Sequence, residues 1–234
     1  MRGTLILAMF AASFAHANWG DVEETRNLNL NAEGISGIQI ESHAGSLEIT
    51  GVSGSDEILV TAILQVPGKS EEKAAEIIAD ALVLTLEKNG DSAVLKGYFD
   101  SDGWGESPSV RLEVSVPSRF AMQVEDSSGS VTVTGVSGDI EIDDSSGSIT
   151  MNEVGGSIDI TDSSGSISIA DVGADLSIDD GSGSIKVRNV GGGVTIEDGS
   201  GSISVKNVEK DLIILGDGSG SVKFADIRGS VEQH

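Results

Sequence analysis

The chain has 234 residues, enough for one large domain or two small ones. Aromatic residues make up only 3% while glycines number 31, so the core must come from Val, Ile and Leu in short strands with Gly at the corners, which argues against a globular α/β core. With 38 acidic against 14 basic residues the formal charge is −24, which disfavours nucleic acid and anionic lipid and favours cations; the absence of cysteine excludes disulfides and a cysteine-borne lipid anchor.

The chain opens with Arg2 and the apolar run Leu5 to Phe14, too short to span a bilayer comfortably. Ala15-His16-Ala17 then supplies the small-x-small pattern of a signal peptidase site. Residues 1–17 are expected to be a cleaved secretory leader, with a mature start at Asn18 in the periplasm or outside the cell. No second long apolar stretch is present, so no membrane span is expected after cleavage.

Residues 18–120 are expected to form a β-rich region with one short helix, placed to cap one open end of the repeats in the C-terminal half. Gly37-Ile-Gln-Ile and Gly45-Ser-Leu-Glu-Ile, with Gly54 nine residues further on, are a degenerate form of that repeat. Ser70-Glu-Glu-Lys-Ala-Ala-Glu-Ile-Ile-Ala predicts a helix near 71–80, with Ser70 as N-cap and Glu71 and Glu72 in its first turn. Asn89-Gly90 predicts a tight hairpin between Val83–Leu86 and Ala93–Lys96. Val110–Val116 alternates as a strand and is stopped by Pro117.

Residues 121–234 repeat. Asp-Ser-Ser-Gly-Ser or Asp-Gly-Ser-Gly-Ser recurs at Asp126, Asp144, Asp162, Asp180, Asp198 and Asp217, in steps of 18 residues and one of 19. A fixed period of this kind means a solenoid. Gly129, Gly138, Gly147, Gly156 and Gly165 mark a half-period of nine, with Ala174 and Lys210 filling two later beats. Apolar residues alternate after the beats, as in Ile140/Ile142 and Ile167/Ile169, so each coil reads strand, turn, strand, turn. Val136, Val154, Val172, Val190, Val208 and Ile227 form a second apolar column at one corner. Gly is required at a beat where φ is positive or where a corner passes close to the coil below. The fold class is therefore all-β: a parallel β-solenoid (β-helix) of 18-residue coils with an N-terminal β-rich cap. A beat of nine excludes the hexapeptide helix, and Asp before Gly-Ser differs from the calcium-binding Gly-Gly-x-Gly-x-Asp nonapeptide.

Gly45-Ser-Leu-Glu-Ile-Thr-Gly, Val114-Ser-Val-Pro and Val124-x-x-x-Ser-Gly-Ser-Val together resemble the bacterial "putative adhesin" group of β-strand-repeat proteins, a domain family with no assigned function. The resemblance covers most of the chain beyond the leader. It implies a β-solenoid at or outside the cell envelope with a role in adhesion, and it brings no catalytic residues.

The residues themselves also argue against an enzyme. Beyond the leader the histidines are His43 and His234, and the repeated serines are explained by turns. Two features could bind a ligand. The first is the column of Asp126, Asp144, Asp162, Asp180, Asp198 and Asp217, which stacking would place about 4.8 Å apart. Between Phe120 and Ile185 there are 13 acidic residues and no Lys or Arg. Unit charges at that spacing repel by roughly 1 kcal/mol per neighbour in water. Two readings would relieve the repulsion: Asx-type turns in which each Asp accepts backbone N–H and Ser hydroxyl hydrogen bonds, or a row of Ca²⁺ ligands completed by hydroxyls and carbonyls. The second is Tyr98-Phe-Asp-Ser-Asp-Gly-Trp, where Tyr98, Asp100, Asp102 and Trp104 make an aromatic and acidic platform for a sugar or cation, or else a hairpin tip covering the joint between the two halves.

Lys186, Arg188, Lys206, Lys210, Lys223 and Arg228 gather in the last coils, opposite in sign to the acidic early ones. A terminal coil with unpaired strand edges favours self-association or a protein partner at the C-terminal coil. The expected function is structural or adhesive, toward a protein or cell-surface partner, with Ca²⁺ or carbohydrate binding as the alternative and no other cofactor.

Overall fold

The computed structural model describes residues 13–15, 21–100 and 108–234. Of the expected leader only Ser13–Ala15 is described, as a short strand antiparallel to Glu23–Thr25; His16 and Ala17 lie outside the described residues, as do Asp102 and Trp104.

Two sheets, parallel through the coils and antiparallel at the edge that the N-terminal strands add, share one apolar core. From residue 121 the chain makes six coils, each with a shorter strand in one sheet and then a longer strand in the other, starting with Ala121–Asp126 and Ser128–Thr134. Pairing between coils is parallel and in register at the 18-residue step: Ile149 lies on Val131, Ile167 on Ile149 and Ile185 on Ile167. Because strand side chains alternate, in-register stacking makes each inward column continuous. Ile140, Ile142, Ile149, Met151 and Val154 of one coil are all buried, and each such side chain contributes roughly 1.5–3 kcal/mol when taken from water. The column Val136 to Val208 is also buried, with Ile227 packed against it, and closes one corner as its spacing predicts.

The degenerate phrase near Gly45 is the first coil of the same stack. Gly37–Ser42 pairs in parallel with Ala121–Asp126, and Ala44–Val52 pairs in parallel with Ser128–Thr134, Gly45 lying on Gly129. The strand before this coil and the chain between residues 53 and 120 widen both sheets beyond it. Ser109–Pro117, Glu57–Pro67 and Asp21–Asn31 extend the sheet of longer strands, and Ser92–Phe99 and Leu82–Asn89 extend the sheet of shorter strands. The last two form a hairpin whose turn is Gly90-Asp91, closed by the Asn89 and Ser92 pair. The helix spans Glu71–Ala81, and the Ser70 hydroxyl accepts the Lys73 backbone N–H as an N-cap. Its Ala74, Ile77, Ile78 and Ala81, spaced on one face, join the common core.

The two kinds of corner differ. Gly129, Gly147, Gly165, Gly183 and Gly201 have φ between +130° and +154°. A Cβ at any of them would lie 1.5–1.7 Å from the carbonyl oxygen of the glycine one coil before. Only glycine fits there, by conformation and by space. At the opposite corner the beat positions themselves have no positive φ, and there Ala174 and Lys210 replace glycine.

Candidate functional site

Each member of the aspartate column ends a short strand: Asp126, Asp144, Asp162, Asp180 and Asp198 are the last residues of Ala121–Asp126, Ile140–Asp144, Ile158–Asp162, Leu176–Asp180 and Val194–Asp198. Register pairs each with the next. Alternation decides where they point. In Ile140-Glu-Ile142-Asp-Asp144 the inward positions are the first, third and fifth, so Asp144 points inward with the isoleucines while Glu141 and Asp143 point out. All five are buried, none more than 6% exposed. The acidic ladder is thus two separate things, an inward column and a dispersed set of outward acids.

One oxygen of each buried carboxylate is satisfied. The backbone N–H groups of Ser146, Ser164, Ser182 and Ser200 donate to Oδ1 of Asp144, Asp162, Asp180 and Asp198 at 2.9–3.1 Å, the Asx-turn geometry. Asp126, at the N-terminal end, accepts the buried Ser42 hydroxyl at 2.7 Å. The corner serines turn their hydroxyls elsewhere: Ser146 Oγ donates to the Ser127 carbonyl one coil away. Oδ2 of all five aspartates is buried without a hydrogen-bond partner. Burial therefore dominates their titration. It pushes Asp126 and Asp180 up to about 6 and Asp144 up to about 7, with Asp126 and Asp162 adding to the rise at Asp144. Asp162 and Asp198 are raised for the same reason.

Asp217 stands apart. The 19-residue step is absorbed as a register shift that sets Glu197 opposite Gly216, so Asp217 leaves the inward set; its Oδ2 accepts the Gln233 side chain at 3.1 Å. Each corner brings one carboxylate, and among the described residues no three acidic, His or Cys side chains converge where a metal ion would sit.

The second candidate is only partly described. Tyr98 stacks on His43 with ring centroids 3.9 Å apart and planes 19° from parallel. Glu41, next but one to His43, pairs with the Lys96 ammonium and lies 3.8 Å from His43 Nε2. The Lys96 contact holds Glu41 below the usual carboxylate range and Lys96 above its own, while burial and Glu41 push the Tyr98 phenol up. Parallel pairing of Gly37–Ser42 with Ser92–Phe99 builds this cluster, uniting residues 55 positions apart. Asp100 is exposed, its backbone N–H donating to the Ala81 carbonyl.

The chain is similar in fold to two solved structures. One is a "putative cell adhesion protein" from Clostridium sporogenes, 11% identical, covering 91% of this chain and 100% of its own, with a TM-score of 0.34. The other is a "putative adhesin" from Bacteroides fragilis, 9% identical, covering 90% of this chain and 97% of its own, with a TM-score of 0.40. No protein-family model and no curated protein sequence matches the chain.

Outside the core, the two sheets differ in charge. On the sheet of longer strands, Lys186, Arg188, Lys206 and Lys223 are exposed on one face, Arg188 lying on Lys206 and Lys186 separated from Lys223 by Ser204. Lys206 reaches Asp226 at 3.9 Å, while Lys186, Arg188 and Lys223 form no ion pair among the described residues. The sheet of shorter strands exposes Glu125, Glu141, Asp143, Asp159 and Asp179. An open groove of 830 Å³ runs across six coils of that sheet, its polar lining including Gln39, Gln123, Glu141, Asp159, Ser177 and Thr195.

Proposed function

We propose that this chain is an exported, non-enzymatic protein of the bacterial cell envelope whose solenoid serves as a structural or adhesive surface. The observation that carries the reading is the pair of continuous sheets, parallel throughout the coils, whose outward rows place side chains at strand spacing over successive coils, one face cationic late in the stack and the other acidic early in it. Such faces suit many weak contacts with an extended partner better than one enclosed ligand. The leader-like segment at residues 1–17 supports export. Complementary faces also support association between copies.

Adhesion of purified protein to intact bacterial surfaces tests the reading, with protease accessibility in fractionated cells fixing the compartment. A charge-reversed Lys186→Glu/Arg188→Glu/Lys223→Glu variant is expected to lose most binding to an anionic surface. Equal binding by this variant and the parent, at low and high salt, would remove the cationic face from the reading.

A second reading, carbohydrate binding, is supported by the Tyr98–His43 stack beside Glu41 and Lys96. Here Tyr98 and Asp100, with Asp102 and Trp104, would form the platform. Trp104→Ala should abolish glycan retention and leave folding intact; unchanged retention would end this reading.

A further inference from the structure

We propose that the inward aspartate column is a proton-binding element of the fold: in weakly acidic solution Asp126, Asp144, Asp162, Asp180 and Asp198 are held as neutral acids, and losing those protons as the pH rises loosens the stack.

Geometry carries this. Five carboxyl groups lie one per coil in a single column, buried among Ile and Val side chains, each with Oδ1 satisfied and Oδ2 without a partner. An ionised carboxylate with an unmet buried oxygen is costly, and neighbours one strand spacing apart multiply the cost. Among the described residues no Lys or Arg pairs with the column. The charged or titratable groups acting on it are its own members, Asp179 beside Asp180, Asp217 beyond Asp198, and His43 near Asp126 alone. A proton on Oδ2 removes the charge and gives the column donors as well as acceptors. A metal ion would need several oxygens converging on one point, whereas the orphaned atoms occur one per corner. The proton fits the arrangement better.

The direction in pH comes from the raised values. Unfolded aspartates lose their protons near 3.9. In the folded column Asp126 and Asp180 keep them up to about 6 and Asp144 up to about 7, and burial raises Asp162 and Asp198 in the same direction. Folding therefore takes up protons between about pH 4 and 7. Stability is greatest at the low end of that window and is lost as pH rises through the folded values, by up to about tenfold in the folding constant per pH unit for each such carboxyl.

Urea unfolding of the full chain from pH 4.5 to 8.5 tests the proposal. The folding constant is expected to fall at least ~100-fold from pH 5 to pH 8. Asp144→Asn/Asp162→Asn/Asp180→Asn should flatten that slope, while an outward control, Glu141→Gln/Asp159→Asn/Glu197→Gln, should keep it, which separates the column from general charge relief. Should the inward variant fail to fold, infrared spectra of the unaltered chain decide: a protonated-carboxyl carbonyl band present at pH 5.5 and lost by pH 8 supports the proposal. A flat stability profile, or no such band, overturns it. So does a chain whose stability at pH 8 is restored by millimolar CaCl₂ in the parent but not in the inward variant, because the column would then be a cation site.

Discussion

Substituting Gly165 by alanine tests the corner that defines the stack. Its φ of +152° lies where residues with a Cβ are strained, at a cost of roughly 1–3 kcal/mol. The added Cβ would sit 1.7 Å from the Gly147 carbonyl oxygen, so the two coils must separate at this corner by more than an ångström. That separation stretches the bonds from Gly147 N–H to the Ser164 carbonyl and from Ser163 N–H to the Asp144 carbonyl, each contributing about 1 kcal/mol net. The total is about 3–5 kcal/mol. For a chain of this size that lowers Tm by about 6–20 °C. Gly156→Ala is the matched control: its φ is not positive and Ala174 already occupies the equivalent position one coil later, so it lacks the backbone strain even though its Cβ would meet the Gly138 carbonyl oxygen at 2.4 Å, and it should cost about 1–3 kcal/mol less than Gly165→Ala. Both are measured by urea unfolding monitored by circular dichroism in the strand region. Equal losses for the two variants would refute the distinction between the corners.

Glu153 holds φ at +57° in a column otherwise made of Asp171, Asn189, Asn207 and Asp226, and Glu is poorly suited to that backbone. Glu153→Asn should therefore raise stability by about 0.5–1 kcal/mol in the same assay. Ile160→Ala empties a fully buried position of the shared core and should cost about 2–5 kcal/mol by urea unfolding. At acidic pH a different set of groups governs. Asp139, Asp175 and Asp211 are depressed, chiefly by backbone N–H donors from the next coil, so their stabilisation is present above the ordinary aspartate range and is lost as pH falls through their folded values. Unfolding midpoints should accordingly decline again below about pH 4, and Ser157→Ala, which removes one donor to Asp139, should weaken that acid limb.

The repeat makes the solenoid legible because every coil restates the same inward alternation, and Ser70 and Gly90 mark the helix start and the hairpin by local chemistry alone. The path between residues 53 and 120 is not legible: its strands join the sheets through long-range pairings, such as Ile63 with Arg111, that no local period encodes. The inward direction of the aspartates does have a signal. Ile140, Ile142 and Asp144 keep one period of two, but the acidic flanks Asp143, Asp179 and Glu197 give the same stretch the look of a surface ladder. The 19-residue step likewise signals that Asp217 leaves the column. The left-handed residues have a signal too, Asp or Asn at the 18-residue step from Asp171, but it is masked because Glu153 and Asp226 flank it with acids found elsewhere in every coil. The stack of His43 on Tyr98 has none, as two strands far apart in sequence bring it together.

In-register parallel stacking sets every side chain against its counterpart, so it amplifies whatever is repeated. Apolar rows gain from this, and the inward Ile and Val columns hold their identity through the coils. Like charges lose, and the outward rows of the acidic sheet change from coil to coil: Glu141, Asp159, Ser177 and Thr195 in one, Glu125, Asp143, Thr161, Asp179 and Glu197 in the other. Dilution with Ser and Thr limits the repulsion where solvent alone screens it. One acidic row is not diluted, and it is the buried one. There a proton can cancel each charge, which screening cannot do in an apolar corner. An unbroken row of aspartate is thus tolerable on the inside of this stack for the reason it would be unfavourable on the outside.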